Sequence, residues 1–129
     1  MTESSFWLQR PNKQKGASNP EARLYVVVRA DLAPGQIAVQ ACHAVLEFAL
    51  RKQELSQLWW STSNVLVVVT APDAESLKNL KETATLCSIQ TVAFEDPDLD
   101  PSLTGLVFEP GLGANALCGT LPLALAPLA

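Results

Sequence analysis

LYVVVRADLAPGQIAVQACHAVL, residues 24–46, decides the fold. Leu24 to Val28 is an apolar, β-branched run of the length of a fully buried strand. Arg29-Ala30-Asp31-Leu32-Ala33-Pro34-Gly35 then carries turn and helix-start chemistry, and from about Pro34 the period becomes that of a helix. Gln36, Gln40, His43, Glu47 and Arg51 are spaced 4, 3, 4 and 4 apart, so they fall on one narrow stripe. Between them Ile37, Val39, Ala41, Cys42, Val45, Leu46 and Phe48 are apolar. A helix with so much apolar girth is expected to be covered on most sides, its polar stripe lining solvent or a cleft.

Outward from this stretch the same logic repeats. Val65–Val69 reads as a second buried strand, and Pro72-Asp73 starts a helix with Asp73 as N-cap. Leu77, Leu80 and Ala84 supply that helix's buried face, with Lys78, Lys81 and Glu82 outward. Cys87–Phe94 reads as a third strand, residues 95–101 as an acidic loop, and Leu103–Phe108 as a fourth strand. The order predicts a three-layer α/β domain, with the first two strands parallel and adjacent or nearly so. Trp59-Trp60 favours core or interface packing over a base-stacking platform. The apolar end, from Ala114 to Ala129, is expected to lie on the body or across a dimer interface, Pro122 and Pro127 excluding a long helix. Residues 1–21, polar and rich in Pro, Gly and Ser, read as a mobile arm preceding a domain of residues 22–129. A sharper reading makes that arm basic and anchored on RNA or a partner through Phe6 and Trp7.

Composition bounds the function. The chain has 129 residues, 48% hydrophobic and 17% charged, enough for one modest core. No apolar run nears the roughly 20 residues of a membrane span, and the start lacks a secretory h-region, so a cytoplasmic protein is expected. Cys42, Cys87 and Cys118 are far apart and read as small buried residues. With one histidine and no cysteine pair, neither a metal nor a cofactor is expected. The net charge of −4 is uneven: +2 over residues 1–24 and −6 over residues 73–129. Nucleic-acid affinity comes largely from basic surface, so tight RNA binding finds little support, Arg29, Arg51 and Lys52 being the candidates for a local patch.

The residues VVVRADLAPGQIAVQACHA, 26–44, resemble the signature of the type II peptidyl-tRNA hydrolases. In the same order follow Val67-Val68-Val69-Thr70-Ala71-Pro72-Asp73, Phe94-Glu95-Asp96, and Thr104 to Gly111, so the resemblance spans about residues 23–111. It implies a four-stranded mixed sheet flanked by helices, a homodimer, and hydrolysis of the ester between a peptide and tRNA. It further implies that His43, Asp96 and Thr104 are catalytic, with Arg29, Asp31, Gln36, Gln40 and Thr70 at the substrate. His43 would act as base or orient the water, Asp96 would orient the histidine or hold the substrate amine, and the Thr104 hydroxyl would donate to a carbonyl. Gln36 and Thr70 stand where the family pattern has lysines, and the segment between Asp96 and Thr104 is shorter than the family's. A slowed hydrolase is the expectation. A non-catalytic dimeric binding module and a hydrolase of a smaller acyl ester remain open alternatives.

Overall fold

The computed structural model describes residues 22–127. The arm expected over residues 1–21, with Phe6 and Trp7, lies outside the described residues. β1 (Leu24–Arg29) leads into α1 (Pro34–Arg51) and, after Lys52, α2 (Gln53–Thr62). β2 (Leu66–Ala71), α3 (Ala74–Leu86), β3 (Thr91–Glu95), β4 (Leu103–Phe108) and α4 (Leu112–Cys118) follow. The sheet order is β2-β1-β4-β3, with β1 and β2 parallel and the other two pairs antiparallel. This is a mixed four-stranded sheet between helices, the predicted α/β architecture.

β1 is the centre of both layers, and all six of its residues are buried. Its alternation splits them between two cores. Leu24, Val26 and Val28 pack with Ile37, Ala41, Ala44 and Phe48 of α1 and Trp59 of α2. Tyr25 and Val27 pack with Leu77 and Ala84 of α3, Leu106 and Phe108 of β4, and Ala114 and Cys118 of α4. The helix starts follow local chemistry: Pro34 opens α1, where its missing N–H costs nothing, and the Asp73 side chain accepts the Ser76 amide at 2.8 Å. Trp59 anchors α2, its indole N–H donating to the Val65 carbonyl at 3.0 Å.

Several expectations are corrected. β2 is adjacent and parallel to β1 but sits at the sheet edge, with Leu66 exposed. Its C-terminal half is covered by the chain's own tail: Thr70 N–H donates to the Pro122 carbonyl and Ala124 N–H to the Val68 carbonyl, both at 2.9 Å. The third strand begins at Thr91 rather than Cys87, because Cys87 caps α3 and Ser88 turns through a left-handed φ of 59°. The apolar girth of α1 is not covered on most sides, since Val39, Leu46 and Leu50 are exposed. Of the three cysteines only Cys118 is buried, its thiol pushed up to about 12 by that burial; Cys42 and Cys87 face solvent. No helix among the described residues is long and apolar enough to cross a membrane.

Candidate active site

The carboxyl ends of β1 and β3 and the start of β4 meet at one end of the sheet, where α1 begins. Ligands of open α/β sheets gather at such an end. α1 reaches it closely because β4 offers a glycine beneath it: a Cβ on Gly105 would come within 2.8 Å of the Ala44 Cβ.

That approach places Gln40, fully buried, between three partners. Its Nε2 donates to Asp96 Oδ2 at 2.8 Å and to Gln36 Oε1 at 3.1 Å, and its Oε1 accepts from the Thr104 hydroxyl at 2.6 Å. The directions are mutually enforced. An ionised Asp96 can only accept, so the amide nitrogen must face it, and the amide oxygen is left for the hydroxyl. Asp96 is held below the usual carboxylate range by the Asp98 backbone N–H at 3.0 Å, then by the Gln40 amide and the nearby His43.

Thr104 owes its direction to a bulge. β3 pairs Phe94 with Gly105 but Glu95 with Leu103, so Thr104 is the extra residue of β4. Leu106 and Phe108, two and four positions on, belong to the core under α3 and α4. Without the bulge Thr104 would share their face; with it, the hydroxyl turns to α1 and Gln40.

A second polar knot lies beside the first. Arg29, only 6% exposed, grips Asp31 with two bonds of 3.0 and 2.9 Å. Its third nitrogen donates to the Pro101 carbonyl at 2.7 Å and the Leu103 carbonyl at 3.4 Å. This bonding raises the Arg29 pKa and lowers that of Asp31. Arg29 therefore ties the end of β1 to the loop between Asp96 and Leu103, with four of its five N–H groups engaged within the protein.

His43 lies one turn beyond Gln40 on α1, exposed, its imidazole stacked on Phe94 with centroids 5.0 Å apart and planes at 10°. Gln36 is in the first turn of α1, also exposed. Of the residues proposed from sequence, Gln36, His43 and Asp96 meet at the accessible mouth. Gln40 and Thr104 stand behind them, fully buried. Thr70, next to last in β2 and paired with Val28, reaches the same carboxyl end of the sheet, and its N–H and hydroxyl both donate to the Pro122 carbonyl. Phe94 was missed, for nothing in a strand's alternation marks which aromatic will underlie a histidine. The proposed basic patch is neutralised: besides Arg29 with Asp31, Arg51 pairs with Glu47 at 2.8 Å and Lys52 with Glu109 at 3.3 Å. Among the described residues no group of three His, Cys, Asp or Glu side chains is placed to hold a metal ion.

With that geometry in view, the chain can be set against known proteins. The sequence model of the family described as peptidyl-tRNA hydrolase PTH2 matches residues 22–113, well over half of the chain. The chain belongs to that family. No curated protein matches the chain.

Proposed function

We propose, from membership of the peptidyl-tRNA hydrolase PTH2 family, that this chain hydrolyses the ester between a peptide or N-blocked amino acid and tRNA, at a lowered rate. The observation that carries the reading is the Thr104–Gln40–Asp96 chain of hydrogen bonds at the mouth of the sheet. Water attacks the ester carbonyl, the carbonyl oxygen gains charge, and the tRNA 3′-hydroxyl leaves with a proton. Asp96, ionised and held by hydrogen bonds from the Asp98 N–H and the Gln40 amide, is suited to orient the attacking water or the substrate's amide N–H. It is too weak a base to deprotonate water by itself. Gln40 and Thr104 act through Asp96 and are positioning residues. Gln36 offers an amide to the oxyanion or to a phosphate where a lysine would offer charge; such a loss commonly costs ~10²–10³ in rate.

His43 has two available roles, proton carrier or aromatic platform for a base of the tRNA end, and its stacking on Phe94 favours the platform. The deciding experiment is single-turnover hydrolysis of diacetyl-lysyl-tRNA. Asp96→Asn should abolish turnover. His43→Phe should retain most of the rate and His43→Ala lose it, whereas a proton carrier would lose it in both. Complete inertness of the wild type would sink the hydrolase reading.

The rival reading, a non-catalytic binding module, draws support from the pairing of Arg29, Arg51 and Lys52 with carboxylates. We further propose a cytoplasmic homodimer. The exposed Val39, Leu46 and Leu50 along α1 and Leu58 of α2 support an apolar contact between copies, and sedimentation should show a species of twice the 13.8 kDa chain mass.

A further inference from the structure

Among the described residues the two edges of the sheet are treated differently, and the one left open runs into the candidate site. Backbone directions follow from the ladder. The Glu109 N–H donates to the Gln90 carbonyl, and the β3–β4 register places Val92 opposite Val107 and Phe94 opposite Gly105. Only alternate residues of an antiparallel pair aim their backbone groups at the partner, so Val92 and Phe94 face β4 while Thr91 and Ala93 face away. Past the bulge the Asp96 N–H donates to the Ser102 carbonyl, which sets Glu95 facing away as well. The other side of the sheet agrees in phase: the Leu24 and Ala30 amides bond to β2, leaving Tyr25 and Val27 to face β4. Thr91, Ala93 and Glu95 thus present a row of N–H and C=O groups that no described residue bonds.

We propose that this open edge of β3 binds the peptidyl part of the ester substrate as an added parallel strand. The inference rests on the hydrolase reading above, and the geometry fixes its direction. The scissile carbonyl, the C-terminal end of the peptide, must lie beside Asp96. The peptide then extends back from Glu95 toward Thr91, a track of about 13 Å, or four residues, at ~3.3 Å per residue. Its N-to-C direction is that of β3 itself. The far end of the track opens on a cavity of about 260 Å³ between α3 and β3, lined by Lys81, Thr85, Ser88, Ile89, Gln90 and Thr91. Pairing through main-chain groups is indifferent to side chains, as a substrate whose peptide can have any sequence requires.

The test uses the full chain and N-acetyl peptides of one to six residues joined by an amide to 3′-amino-3′-deoxyadenosine, which cannot be hydrolysed as esters. Affinity should rise about tenfold from one residue to four and then level off. Hydrogen exchange at the Thr91, Ala93 and Glu95 amides should slow at least tenfold with the four-residue compound. N-methylation of alternate peptide nitrogens should undo the gain. Ala93→Pro, which removes an outward N–H without touching the β4 ladder, should do the same at unchanged affinity for the one-residue compound. Affinity independent of length, or binding that leaves the three amides unchanged, overturns the proposal. So does slow exchange at these amides before any compound is added, which would mean that residues 1–21 or a second copy already occupy the edge. These readouts need no turnover: a protein that passes them yet never cleaves peptidyl-tRNA keeps the added strand and loses the hydrolase. Equal cleavage of N-acetylaminoacyl- and tetrapeptidyl-tRNA does the reverse.

Discussion

Two polar knots hold the loop between Asp96 and Leu103, and they are built on opposite plans. The Arg29 knot is ionic and spends its guanidinium on Asp31 and two loop carbonyls. The Gln40 knot is neutral at its centre and passes its order outward to Asp96 and Gln36, which remain accessible. A cation with four of its five N–H groups so engaged has little left for a ligand. An amide that donates to an accessible carboxylate transmits rigidity to the site without occupying it. The first knot should therefore govern stability and the second, catalysis.

The sharpest way to break that division is Arg29→Met. It leaves the Pro101 and Leu103 carbonyls without their donor, while Asp31, whose side chain is 42% exposed, regains water, and should cost ~2–4 kcal/mol by denaturant unfolding. A loss near zero would mean that the loop is held by something else. Gln40→Leu should cost less, ~1–3 kcal/mol, because one buried hydroxyl loses its partner. It should lower turnover by more than that stability loss accounts for, while Gln40→Glu, whose carboxylate faces Asp96, should not rescue it. Gln36→Lys should leave stability alone and raise peptidyl-tRNA cleavage about tenfold, or ~1.4 kcal/mol, with a steeper salt dependence.

The smallest effect is a titration. Asp31 and Asp96 are both held below their ordinary range in the folded protein. Each therefore adds stability that is fully present above the unfolded carboxylate pKa of about 3.9 and is lost as pH falls through the lower folded value. Acid unfolding should begin below pH ~4. Carbon-detected NMR should find that Gln40→Leu raises the Asp96 midpoint and leaves Asp31 in place, with Arg29→Met doing the opposite. Coupled shifts at both sites would show that the knots are one.

These knots also mark where the sequence could be read and where it could not. β1, its turn and α1 were legible because the hydrophobic period changes at Pro34, and Asp73 declared its helix. The 4-3-4-4 spacing of polar residues on α1 reads as one stripe facing solvent or a cleft. Yet Gln40 is buried while Val39, Leu46 and Leu50 are exposed. Polar spacing reports a face, not whether a strand bulge brings that face a partner. Thr104 reaches Gln40 only through the bulge, and no alternation of residue types announces an extra one. The burial of Arg29 was equally illegible, for its carbonyl partners come from residues 72 and 74 positions away.

Glycine at position 105 sets the distance on which the Gln40 knot depends, but the tail has the wider reach. Pro122–Ala124 lie along β2, where Val69 and Leu123 form an isolated bridge. Shortening the chain to residue 121 would uncover the outward groups of Val68 and Thr70, and among the described residues nothing covers β3. Each molecule would then have an adhesive border on both sides, and copies could join border to border without limit, as growing sheets do. The few residues after α4 should therefore act as a chain terminator for self-assembly. A tag added at Ala129 leaves them in place, whereas one that replaces them should give a protein whose turbidity grows with concentration.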